Sequence, residues 1–153
     1  MADSILVRPA APSDLEVLVQ FNSAMAQESE GKNLDQVALH AGVAAVLEDE
    51  LKGFYLLAER RGQPVGQLLV TSEWSDWRNA YFWWIQSVYV VPEHRRRGVY
   101  RALEQQVRDQ ARLQGNVCGI RLYVDRQNHG AQKVYSRLGM IPSHYDMYEV
   151  EIS

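Results

Sequence analysis

Apolar residues along the chain follow two periods, alternation and the helical 3–4 spacing, and these divide it into short strands and four helices. "SILVR" (Ser4 to Arg8) reads as a first strand, stopped by Pro9 and Pro12. Ser13 and Glu16 have capping-box spacing, and Leu15, Leu18, Val19 and Asn22 follow on one helical face until Gly31 and Asn33 interrupt it. Leu34, Val37, Ala38, Ala41 and Ala45 mark a second helix over Leu34 to Leu47. "FYLLAER" and "PVGQLLVTSE" predict two strands joined by the turn signal "RGQP". After the polar loop "WSDWRNA", the run "YFWWIQSVYVV" is apolar on both alternating faces, as a central strand covered on both sides would be. Val99, Leu103, Val107 and Ala111 form a third helical stripe ending at Gly115, and "VCGIRLYV" is a further strand. Asn128 caps a short fourth helix that Gly139 stops, and "HYDMYEVEI" predicts a closing strand.

No repeat, linker or low-complexity segment breaks this order, so one α+β domain over residues 1–153 is expected. Its 46% hydrophobic and 23% charged residues are ordinary for a globular chain that can bury one core. The net charge of -3 argues against a general role on nucleic acid or anionic membrane. The single cysteine, Cys118, forms no internal disulfide, and His40, His94, His129 and His144 lack metal-ligand spacing, so no metal is expected. With no 18-residue apolar run and no signal-peptide layout at the N-terminus, a cytoplasmic setting is the expectation.

Against this acidic background the junction "VVPEHRRRGVY" stands out. Pro92 ends the strand, and a helix starting near Gly98 leaves the amides of about residues 95–100 without intrahelical acceptors. Those amides and the helix dipole suit a phosphate-like anion, which Gly98 lets approach closely. Three arginines at a helix N-terminus oppose the dipole unless an anion offsets them. Neither the Rossmann fingerprint nor the P-loop is present. A solvated basic turn is the plain alternative. A nucleic-acid site would predict steep salt dependence, and one short basic stretch gives it little support.

Strand, "VVPEHRRRGVYRALEQ", strand and "NHGAQKVYSRLGM" together resemble the GNAT superfamily of N-acetyltransferases. Its acyl-CoA signature, Arg/Gln-x-x-Gly-x-Gly/Ala, is met by Arg95, Arg96, Arg97, Gly98 and Val99, with Tyr100 in place of the final small residue. The resemblance implies a mixed central sheet of about six to seven strands flanked by about four helices. It also implies acetyl-CoA as co-substrate. The pantetheine arm would pair with the backbone of Val88, Tyr89 and Val90, and the pyrophosphate would rest on the amides of Arg95 to Tyr100. Asn128 matches a position that contacts the CoA arm, although a simple N-cap explains it as well. Tyr135 matches the general acid that protonates the departing thiolate, against the alternative of a packed core tyrosine.

The acceptor implied is a primary amine, with a small cationic metabolite preferred to an exposed protein amine. An acyl-CoA-binding or sensing module without turnover is the alternative from another class. For the base that frees the amine, Glu73 at the end of the third strand is the first candidate. Glu28 and Glu30, between the first two helices, fall where family members build the acceptor wall. All four tryptophans lie between Trp74 and Trp84; Trp83 and Trp84 face opposite sides of a strand and are explained by packing. Trp74 and Trp77, with Asp76, could hold a cationic amine by cation–π contact and charge, or form a dimer contact. The closing strand offers an edge for a homodimer.

Overall fold

The computed structural model describes residues 4–153, in two compact units, residues 4–122 and 123–153. The first unit holds one five-stranded sheet in the order β1-β2-β3-β4-β5. These strands are β1 (Ile5–Pro9), β2 (Phe54–Arg60), β3 (Gln63–Ser75), β4 (Ala80–Val90) and β5 (Val117–Leu122). The first four run antiparallel to their neighbours, while β5 joins β4 in parallel after a crossover through α3 (Val99–Gln114). α1 (Leu15–Glu30) and α2 (Gln36–Glu48) complete the unit.

The sheet separates two cores. On one face Leu56, Leu68, Val70, Trp83 and Ile85 pack against Val99, Leu103, Val107 and Ala111 of α3. On the other, Tyr55, Leu57, Leu69 and Tyr89 meet Leu18, Val19 and Phe21 of α1 and Val43 of α2. β4 therefore carries apolar residues on both alternations, as its sequence predicts. The β2–β3 turn forms at Arg61–Gly62, where both residues have positive φ (54° and 75°), the combination that favours a tight hairpin.

Local chemistry differs from the expected capping box at α1. Asp14, not Ser13, is the key side chain: it accepts from Ala11 N (2.7 Å) and takes both arms of Arg8 (2.8 and 3.0 Å). Arg8 also reaches Glu59 on β2 at 3.2 Å. The Arg8 hydrogen bonds hold the Asp14 carboxyl below its ordinary range despite some desolvation. A depressed carboxyl stabilises the fold above its unfolded pKa, and that contribution is lost as pH falls through the folded value. Asp14→Asn is thus expected to cost about 1 kcal/mol at neutral pH, a figure reduced for the partly exposed Arg8. Urea titrations should show its gap from wild type closing as pH falls below the ordinary carboxyl value of about 3.9 and through the lowered folded one.

In the second unit, α4 (His129–Arg137) is capped by Asn128, whose Oδ1 accepts from Ala131 N at 3.1 Å. Gly139 follows at φ 88°. The expected closing strand is absent: residues 144–152 carry no ladder, so the sheet has five strands rather than six or seven. The sequence gives a reason. Its apolar alternation, Tyr145 and Met147, slips by one residue to Tyr148, Val150 and Ile152, and a one-residue slip puts the two halves on opposite faces.

Candidate active site

β4 outruns its parallel neighbour. Its pairing with β5 ends at Ile85↔Leu122, and residues 86–90 run on beyond it. At the same place the β3–β4 register jumps from Val70↔Ile85 to Leu69↔Ser87, leaving Gln86 as the extra residue of a bulge. A bulge bends its strand, and this one falls where β4 stops pairing with β5.

Past Val90 the chain forms a short turn at Pro92–His94 and is pinned by Val91 N to Val65 O (2.9 Å) and Arg95 N to Pro92 O (3.2 Å). Arg96 (φ 63°) and Gly98 (φ 84°) are both left-handed. Gly98 is the N-cap of α3, no side chain caps the helix, and Ala102 N to Gly98 O (3.0 Å) opens its hydrogen-bond ladder. The leading amides therefore point out of the helix end, where an anion can accept them. Val99, 1% exposed, roots this end in the core, and Tyr100 packs against the same core. The bulky residue at the last signature position is thus turned inward.

The arginines are used differently from one another. Arg95 Nε donates to Val90 O (2.9 Å) and its Nη2 to Glu28 Oε2 (2.7 Å), with its guanidinium 5.6 Å from the Tyr89 ring centre. It ties the loop to the end of α1. Burial, with Glu28 nearby, pushes the Tyr89 hydroxyl pKa up. Arg97 lines a cavity of about 270 Å³ together with Arg60, Arg61, Gln63 and His94. Arg60 donates to Arg97 O (3.2 Å) and lies 3.1 Å from His94 Nδ1, which must be the acceptor there. The end of the sheet beyond β4 is consequently cationic.

Glu73, Trp74, Asp76 and Trp77 are not brought to this end. β3 is antiparallel to β4, so its C-terminus lies beside the start of β4: Glu73 pairs with Phe82 and Ser75 with Ala80. Along β4, Ala80 and Val88 are about 25 Å apart at strand rise. Glu73 Oε1 accepts from Trp84 Nε1 (2.7 Å) and Arg121 (3.3 Å), whose guanidinium lies 3.5 Å from the Phe82 ring centre. Trp74 belongs to β3 rather than to the loop, packed edge-on against Tyr81 at 4.9 Å, and Trp77 is exposed at the hairpin tip. Cys118, near Tyr81 O (3.3 Å), shares that far end. Glu30 is exposed at the end of α1, with Lys32 at 4.0 Å. In the second unit Tyr135 lies on α4, and its carbonyl accepts from Met140 N at 3.0 Å.

The acetyltransferase (GNAT) family profile matches residues 20–140, which include the bulge, the loop and α4. The chain belongs to the GNAT acetyltransferases. A possible acetyltransferase from Clostridium difficile 630 is similar at 42% identity and TM-score 0.91, over 97% of this chain and 98% of that one. A ribosomal-protein-alanine N-acetyltransferase from Brucella melitensis biovar Abortus 2308 shares 16% identity at TM-score 0.77, over 97% and 100% of the two chains. An aminoglycoside N-acetyltransferase in complex with CoA shares 17% at TM-score 0.81, over 99% and 97%. At such identities the last two show likeness of fold. No protein of curated function matches. Among the described residues of this acetyltransferase no group of side chains could hold a metal ion, and no helix is long and apolar enough to cross a membrane.

Three polar residues near the bulge escaped the sequence reading: Gln67, Gln86 and Ser87. A signal was present, since "IQSV" interrupts an otherwise apolar strand and Gln67 sits inside "VGQLLV".

Proposed function

We propose that this GNAT acetyltransferase transfers the acetyl group of acetyl-CoA to a primary amine of a small molecule, by direct attack in a ternary complex. The observation that carries the reading is the uncapped start of α3, entered through left-handed Arg96 and Gly98 at the end of a strand that outruns its parallel neighbour. The backbone of Val88 to Val90 pairs with the pantetheine amides, and the loop from Arg95 to Tyr100 receives the pyrophosphate. Arg96 and Arg97 add charge to it, while Arg95 fixes the loop through Val90 O and Glu28. Asn128 contacts the CoA arm in addition to capping α4.

Acetyl-CoA supplies the electrophilic thioester carbon. The amine gives up a proton to solvent water and its lone pair forms the C–N bond. A backbone amide near Val90 donates to the resulting oxyanion. The C–S bond then breaks, and Tyr135 protonates the thiolate. Glu73 lies about 13 Å along β4 from Gln86, by strand rise, so the base role falls to water in this reading. A cationic acceptor keeps the support of Glu30 on the α1 side but loses that of Trp74, Asp76 and Trp77. Acetylation of a protein amine is the second reading.

Isothermal titration tests the cofactor half. Wild-type protein should bind acetyl-CoA in the micromolar range, and Arg95→Ala/Arg96→Ala should weaken binding at least about tenfold, through the lost charge of Arg96 and the lost Arg95 tie that fixes the loop. Absence of binding by the wild type overturns the proposal.

A further inference from the structure

The β4 bulge carries polar groups that the fold leaves unsatisfied. Ser87 Oγ is buried with no hydrogen-bond partner, and so are both amide atoms of Gln67, a residue with no exposed surface. Sealing an amide from water without a partner is costly, and native folds keep such groups few. The two are related by position. Ser87 lies opposite Leu69 and Gln67 opposite Tyr89, so they are diagonal neighbours on the face that α1 and α2 cover. Sheet geometry separates such neighbours by about 7 Å. Gln86, the other bulge residue, is already engaged, donating to Thr71 Oγ1 at 2.9 Å.

Their place in the sheet is equally specific. Ser87 lies two residues beyond Ile85, where β4 last pairs with β5. An unsatisfied hydroxyl, backed by an unsatisfied amide, thus sits where the strand leaves its neighbour. Unmet hydrogen bonds at such a point await a ligand group or a water held for one.

We infer that Ser87 aligns the attacking amine and that Gln67 is a positioning residue behind it. The inference rests on the acetyltransferase reading above. When the amine binds, its N–H donates to Ser87 Oγ, the Ser87 hydroxyl, unpartnered in the free protein, turns to donate to Gln67 Oε1, and the nitrogen lone pair is left directed at the thioester carbon. No bond to Ser87 forms or breaks: its sheet neighbours Gln67, Leu69 and Tyr89 include no base at neutral pH that could make it an acyl carrier. The C–N bond forms, the C–S bond breaks, and the proton leaving the amine passes to water. The alignment contributes through orientation, the part of catalysis most sensitive to a lost contact.

The test uses Ser87→Ala, Ser87→Thr and Gln67→Leu in the full chain, with acetyl-CoA and three amine probes: spermidine, kanamycin and an alanine-terminated peptide. Both apolar variants should keep or raise Tm, because each removes an unsatisfied buried polar group. Acetyl-CoA affinity should stay within about twofold. For whichever probe is acetylated, Ser87→Ala should lose roughly 10- to 100-fold in kcat/KM, the size of a hydrogen bond to a charged group. Gln67→Leu should lose less, mainly in kcat, and Ser87→Thr should regain most of the rate. Unchanged kcat/KM in Ser87→Ala overturns the assignment alone. So does a fall of several degrees in its Tm, which would give Ser87 a structural bond, whether or not a probe turns over. A wild type that does not bind acetyl-CoA overturns the acetyltransferase reading, and this assignment with it.

Discussion

Tyr135→Phe is expected to lower kcat by about two to four orders of magnitude at neutral pH, the usual weight of a positioned general acid. Acetyl-CoA affinity should stay within about twofold. The change removes one oxygen from a side chain near the end of α4, a helix set independently by the Asn128 cap and the turn at Gly139. By ordinary values, about 10 for a phenol and about 8.5 for a thiol, that proton transfer is uphill by about 2 kcal/mol, so the hydroxyl must be held at the sulfur and donate as the C–S bond breaks. The pH dependence should report it: wild-type kcat carries an alkaline limb that the variant lacks. Steady-state assays with a thiol reagent, alongside titration calorimetry, separate the outcomes. A rate unchanged in Tyr135→Phe would remove the tyrosine from the mechanism. No turnover in either protein, with acetyl-CoA still bound, would favour the acyl-CoA-binding module instead.

What could be read in the sequence was what local chemistry decides. β2 begins and ends where "FYLLAER" does, α3 starts after Gly98 and ends at Gly115, and Asn128 caps α4, because each rests on a period or on one capping residue. The left-handed turn at Arg96, a non-glycine residue, follows from no local rule and only the structure reveals it. Long-range placement was less accessible. The sequence put Glu73 at a strand end, but which end of β4 it meets depends on the antiparallel direction of β3. That direction puts the aromatic hairpin and the cationic loop at opposite ends of one strand. The closing strand failed because its alternation slips between Met147 and Tyr148, so no one face runs its length. The bulge needs the β3–β4 register to be seen at all, although the polar pair Gln86 and Ser87 marked its position.

Gly66→Ala is the second substitution with a large expected effect, because it acts on the fold and on the site at once. Gly66 lies in β3 opposite Val90, and a Cβ there would meet Val99 Cγ1 at 2.9 Å, Tyr89 O at 3.0 Å and Leu103 Cδ1 at 3.6 Å. Val99 and Leu103 are the first buried residues of α3, so the missing side chain is what lets the start of the helix settle on the sheet. Val99 cannot yield cheaply, since a β-branched side chain in a helix has one favoured rotamer. The Tyr89 carbonyl belongs to the strand backbone. The methyl group must therefore lift the N-terminus of α3 or shift β4, at a cost of about 1–3 kcal/mol as in other overpacked cores. For a domain of this size Tm should fall by roughly 2–4 °C for each kcal/mol. Acetyl-CoA affinity should fall about tenfold or more at temperatures where the variant is fully folded, because the displaced element carries the anion-binding amides. Gly42→Ala in α2 is the control: its Cβ meets nothing within 4 Å, and alanine in a helix interior should raise stability by about 0.5–1 kcal/mol without touching binding. If Gly66→Ala lost stability but kept its affinity, the phosphate loop would be held by Arg95 and its bonds to Val90 and Glu28 rather than by the seating of α3.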